Sequence, residues 1–129
     1  MDIASVAAII YAAITVGVVV FQLALAAGAP WGAYAMGGAS PGAFPPALRI
    51  SAVVQAVLLA GMAAVILARA GLILPGWSQV SLWLAWVVVA LTALSLVLNL
   101  LSRSGSERAI WVPTLLILLL SSLLVAFSR

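Results

Sequence analysis

The chain has 129 residues, of which 67% are hydrophobic and 5% charged, against about 25% charged in an ordinary soluble domain. So few charges cannot cover a water-facing surface, so lipid must be the solvent for most of what the length makes a single domain. With no cysteine, histidine or lysine, disulfides, thiolate chemistry and His or Cys metal sites are excluded.

The formal charge is +3. It comes from arginines at 49, 69, 103, 108 and 129, too scattered to form the clustered basic face that nucleic-acid binding needs. Asp2 and Glu107 are the only carboxylates, far apart in sequence. Catalysis needs positioned groups of suitable pKa. This inventory points away from an enzyme, and no cofactor or metal is expected.

The charges separate four apolar segments, each near the ~20 residues that span a bilayer as a helix. In hydrocarbon the backbone must satisfy its own hydrogen bonds, which favours helices over open strands. The sequence predicts an all-α, four-transmembrane-helix bundle, one domain over 1–129. Its helices run over about 3–27, 50–68, 78–101 and 109–127, with both termini on one side.

Asp2 is suited to cap the first helix. Ala24-Leu25-Ala26 resembles a signal-peptide cleavage site, but Asp2 occupies the n-region, and the apolar stretch exceeds the ~7–15 residues of an h-region. The segment reads as a span. Ala4, Ala8, Tyr11, Thr15, Val18 and Gln22 follow steps of four and three along one face.

Residues 28–49 (GAPWGAYAMGGASPGAFPPALR) carry no charge before Arg49. Irregular chain near membrane depth is tolerated where it is buried in protein or lines a cavity. The stretch reads as a lid of glycine, proline and aromatics, with Trp31, Tyr34 and Phe44 as its contact residues. Pro45-Pro46 stop it and set up the second helix. The glycines do not match a phosphate loop, having neither GK[ST] nor a preceding strand.

In the second helix Ser51, Gln55, Leu58 and Met62 share a face. Alanines at 52, 56, 60, 64 and 68 repeat a small-xxx-small pattern suited to close helix contact, within the chain or with a second copy or partner membrane protein. The third helix places Ser81, Ala85, Val88, Thr92, Ser95, Asn99 and Ser102 on one stripe, with Trp83 and Trp86 on the opposite side as lipid-facing or helix-contact aromatics. The fourth gives a weaker stripe of Thr114, Ser121 and Ser128, with Pro113 expected near its first turn, where proline is tolerated. Trp31, Trp77 and Trp111 sit at the predicted boundaries, as in an aromatic belt.

Depth ties the polar residues together. At 1.5 Å per residue, Gln22, Gln55 and Asn99 lie roughly 6–9 Å below the side carrying loops 28–49 and 101–110. Ser95 and Thr114 are close to that level, and Arg49, Arg103, Glu107 and Arg108 lie above it. The residues describe a polar vestibule with an arginine rim. Two readings of the carboxamides stay open: hydrogen bonds between helices, or contacts to a ligand or ion path. Glu107 is expected to pair with Arg49 or Arg103, its alternative being a gate, and the arginines also suit lipid phosphates. The positive-inside rule puts this side in the cytoplasm by a margin of one arginine.

GAPWG, then GG, PPALR, NLLSRSGSER and the following WVP resemble a group of small, uncharacterised four-helix bacterial integral membrane proteins. The resemblance implies the fold and a bacterial inner membrane, and brings no activity with it. The function expected is a non-catalytic binding, scaffolding or modulatory module whose vestibule takes lipid or a small ligand. The alternative is a small oligomeric transporter or channel. Polar residues thin out beyond the vestibule, to Tyr11, Thr15, Ser81 and Ser121, which favours the first.

Overall fold

The computed structural model describes residues 2–128. Four helices account for most of them: α1 (Ile3–Ala27), α2 (Pro46–Arg69), α3 (Ser78–Leu100) and α4 (Gly105–Ala126). All four are long and apolar enough to cross a membrane, so the chain is a small multi-pass membrane protein. The helices run up and down in a ring in which α1 packs on α2 and α4, and α3 packs on α4 and α2. The α1–α2 seam is the most extensive and the α2–α3 seam the least of these four. The α1–α2 and α3–α4 connections share one end, called here the loop end. Arg129, counted above for the opposite end, lies outside the described residues.

Two helices start earlier than expected. α2 begins at Pro46 rather than residue 50, with Pro45 extended as its N-cap (φ −66°, ψ 163°). A proline in the first turn forfeits only an N–H that has no intrahelical partner. α4 begins at Gly105 rather than 109, because Ser104 caps it by accepting the Glu107 N–H at 3.2 Å. Both expectations took a charged residue as the helix boundary. A helix ends where its backbone runs out of partners, and it can project past the apolar layer. Pro113 consequently lies inside α4, not in its first turn. Having no N–H, it leaves the Ala109 carbonyl without its usual donor.

The inward stripes of α1 and α3 are largely those expected. Ala8, Tyr11 and Thr15 are buried, as are Ser81, Ala85, Val88 and Thr92. Trp83 is 79% exposed and Trp86 is also on the outside. On α2 the expected stripe is rotated. Leu58 and Gln55 reach the outer surface, while Ala52, Ala56, Met62 and Ile66 face the bundle. Ala52, Ala56 and Ala68 are thus used within the chain's own packing, Ala64 is half-buried, and Ala60 is exposed.

The half of the bundle toward the chain termini holds the larger buried apolar core, with an open apolar groove between Ile3, Ala4 and the end of α4. Ala7, Ala8, Tyr11, Met62, Ile66, Val88 and Val125 belong to one buried cluster to which all four helices contribute. Small residues let the helices approach closely, where dispersion contacts accumulate. Across this layer Tyr11 donates its hydroxyl proton to Thr92 Oγ1 at 3.1 Å, and Thr92 passes its own to the Val88 carbonyl at 2.8 Å.

Candidate functional site

At the loop end the helices enclose a cavity of about 330 Å³. Gln22 on α1, Gln55 on α2, Ser95 and Asn99 on α3, and Thr114 on α4 all line it. Tyr34 and Phe44 from the lid and Glu107 from the first turn of α4 line it as well. Ser51, Phe21 and Trp111 join the wall, and Val18, Leu59, Leu115 and Leu118 give it apolar surface. Its volume is near the lower end of the ~300–1,000 Å³ range of small-molecule sites. Gln55 and Leu98 line the cavity and are also exposed on the outside of the bundle. Both lie at the sparse α2–α3 seam, and Met36 of the lid, which also lines the cavity, is exposed too, so the cavity opens at that seam and under the lid.

The carboxamides do not tie helices together. Asn99 Nδ2 donates to Ser95 O of its own helix at 2.8 Å, and its Oδ1 is buried with no partner among the described residues. No hydrogen bond among the described residues joins Gln22, Gln55 or Asn99 to a neighbouring helix. Thr114 likewise turns its hydroxyl onto Ile110 O, 2.8 Å away.

Glu107 is 7% exposed, and its surroundings follow from the sequence SRSGSE. Ser104 caps α4, which makes Glu107 the third helical residue and points it inward. In a capping box that glutamate would reach back to the backbone N–H of the cap. Here Ser102 stands between them. The Ser104 N–H donates to Ser102 Oγ at 3.1 Å, and Ser102 Oγ donates to Glu107 Oε2 at 3.0 Å. The carboxylate also sits at the positive end of the α4 dipole.

The expected ion pair is not formed. Arg49 Nε donates to Phe44 O at 2.7 Å and its guanidinium lies over Gly28. Arg108 donates through Nη1 to Ser102 O. Arg103 is exposed. None of the three lines the cavity. Arg49 and Arg108 brace the backbone around the site instead, because the early start of α4 turns Glu107 inward.

The lid is built from two single 3₁₀ turns, Gly32–Tyr34 and Met36–Gly38, that fold back over the helix ends. The Gly32 N–H donates to Gly42 O at 2.9 Å, closing the loop on itself. A Cβ on Gly32 would stand 1.9 Å from Ser40 O, so this crossing requires glycine. Phe44 and Ala35 are buried with Leu25 and Ala52. Ser104 Oγ donates to Ala33 O at 3.1 Å, and Trp111 Nε1 donates to Tyr34 O at 2.6 Å. Both bonds fasten the lid to the start of α4. Trp31 is exposed and stacks on Phe21 with ring centres 6.2 Å apart, so it buttresses the wall from outside.

Trp111 was expected in a boundary belt, but it turns inward, packing edge-on against Phe21 at 4.9 Å. Trp111, Phe21 and Ser51 are the principal wall residues beyond those expected. The spacing of Trp111 four residues after Glu107 is the signal for the first, once α4 is extended back to residue 105. Comparison with family models, with curated proteins and with solved structures gave no match.

Proposed function

We propose that the protein is a non-catalytic binding module of a bacterial inner membrane that takes a small amphiphile from the bilayer into the loop-end cavity. The observation carrying this reading is the state of the carboxamides. Three of them, from three helices, face one cavity without bonding a neighbouring helix, although intramembrane polar groups are costly and tend to find use. Apolar wall below polar groups, with an opening at the α2–α3 seam and under the lid, suits a molecule with a hydrocarbon body and a polar head. Beneath the cavity the polar lining stops at the packed Tyr11–Thr92 layer, which favours binding over passage. Arg49, Arg103 and Arg108 against Arg69 and Arg129 favour a cytoplasmic loop end, checked by reporter fusions at either end.

The test uses three octyl probes that differ only in head group: octanol, octanoate and octylammonium. Purified protein in dodecyl maltoside is titrated with each, following tryptophan emission. At least one probe is expected to bind saturably at one per chain, and Ser95→Phe, which puts a ring into the cavity, abolishes it. No saturable binding by any probe, or binding untouched by Ser95→Phe, contradicts the reading. Selective solute flux in liposomes would instead favour a transporter.

A further inference from the structure

Resting on the binding reading, we infer that the cavity selects an ammonium group carried on an apolar body. Charge, more than the count of donors and acceptors, sets the character of the polar wall: the carboxamides of Gln22 and Gln55 and the hydroxyls of Ser51, Ser95 and Tyr34 can both donate and accept, while the lining holds a carboxylate and no cation. Glu107 brings the only carboxylate in the cavity, and Ser102 is its one side-chain donor among the described residues. Asn99 adds a buried Oδ1 with no partner among the described residues, while one of its two amide N–H groups goes to Ser95 O. The N–H of Trp111 is likewise spent on Tyr34 O.

A carboxylate buried in low dielectric calls for a cation beside it. The three nearby arginines do not supply one inside the cavity, since Arg49 and Arg108 are committed to backbone carbonyls and none lines the wall. An ammonium donates to Glu107 and Asn99 Oδ1 together. Its positive charge is also attracted to aromatic faces within about 6 Å, and Phe21, Tyr34, Phe44 and Trp111 all contribute to the same wall. A phosphate or carboxylate head would meet Glu107 with like charge and find no cation lining the cavity. The ammonium has two sources, a free amphiphilic amine or the head group of an aminophospholipid that enters ammonium first and keeps its phosphate outside the cavity.

The octyl series separates this inference from the reading beneath it. Octylammonium is expected to bind tightest of the three. Glu107→Gln keeps the size of the side chain and an acceptor for Ser102. It should weaken octylammonium about tenfold to a hundredfold, the range of a charge-assisted hydrogen bond, and leave octanol unchanged. Asn99→Ala, a second variant that leaves the capping serines intact, should weaken octylammonium about two- to tenfold. If octanol or octanoate binds at least as tightly as octylammonium, the pocket stands and the ammonium selectivity is overturned. The same holds if Glu107→Gln binds octylammonium like wild type. Repeating the titration in nanodiscs identifies the source. Weaker octylammonium binding in phosphatidylethanolamine than in phosphatidylcholine, equally zwitterionic but without an N–H to donate, assigns the site to the lipid head group, and equal binding assigns it to a free amine.

Discussion

The two ends of this bundle solve the same problem in opposite ways. Away from the loop end, the inward polar groups are mostly hydroxyls, Arg69 donates to Ser128 O, and Thr15 Oγ1 and Arg69 Nε are buried without a partner among the described residues. Tyr11 and Thr92 satisfy each other, Thr92 satisfies Val88 O, and alanines close the remaining space. At the loop end, long carboxamides and a carboxylate face a cavity, and Arg49 and Arg108, which could have neutralised the carboxylate, are turned to backbone carbonyls instead. A lid built on Gly32 and fastened through Ser104 and Trp111 covers that space. Burying polarity merely to join helices requires nothing more than the first arrangement. What sets the second apart is that Glu107 and the unpartnered Asn99 Oδ1 face a cavity, and a binding role accounts for that.

Truncating a large side chain in the packed half should have the largest effect on stability. Ile66 is fully buried, and Ile66→Ala should cost about 2–5 kcal/mol through lost packing. Leu115→Ala, at the cavity wall, should cost well under half as much, because space is already there. Equal losses in steric-trap unfolding would erase the distinction between the ends. Gly32→Ala comes next, at about 1–3 kcal/mol from overpacking against Ser40 O. Its signature is local, with protease cutting within residues 31–44 while the helices stay protected. Gly61→Ala is the matched control, since a Cβ there meets nothing within 4 Å. Protection of the lid in Gly32→Ala would show that the crossing is looser than described.

Tyr11→Phe removes one hydrogen bond and no packing. Intramembrane hydrogen bonds average about 0.6 kcal/mol and rarely exceed ~1.7, so the variant should lose no more than that and leave the cavity untouched. A larger loss would make the Tyr11–Thr92 bond the organiser of the closed end. The smallest effect is at the start of α1. The Ser5 backbone N–H, donating to Asp2 at 2.8 Å, holds that exposed carboxyl below the ordinary carboxylate value. A lowered pKa means the cap is fully present above the ordinary aspartate value and is lost as pH falls through the lowered one. The Ser5 amide protection factor, measured by NMR, should fall over that acid range and stay flat above it.

The fold was legible in the sequence because its signal is coarse. Uncharged segments of spanning length separated by arginines and breakers leave few alternatives. That Gln22, Gln55 and Asn99 line one cavity accords with the expected depths, since helical rise fixes depth to within a turn. Rotation was harder. On α2 an alanine ladder and a polar stripe competed, and the structure turns Ala52 and Ala56 inward while Gln55 reaches the cavity from its mouth. Glu107 went astray through one overlooked local motif. Ser104-x-x-Glu107 is a helix-start pattern, and reading it moves α4 back one turn and takes the carboxylate away from the arginines. The lid's tertiary bonds, Ser104 to Ala33 and Trp111 to Tyr34, join residues more than seventy positions apart, and no local pattern encodes them.

The contrast between the ends can be measured directly, because the native chain has no cysteine. Single cysteines at Asn99 and at Thr92, two turns apart on the same face of α3, should react very differently with a small thiol reagent, 2-aminoethyl methanethiosulfonate, in proteoliposomes. Asn99→Cys should label rapidly and be protected by octylammonium, while Thr92→Cys stays unlabelled. Equal labelling at the two positions, or none at Asn99→Cys, would contradict a cavity that opens at the loop end and closes above the Tyr11–Thr92 layer.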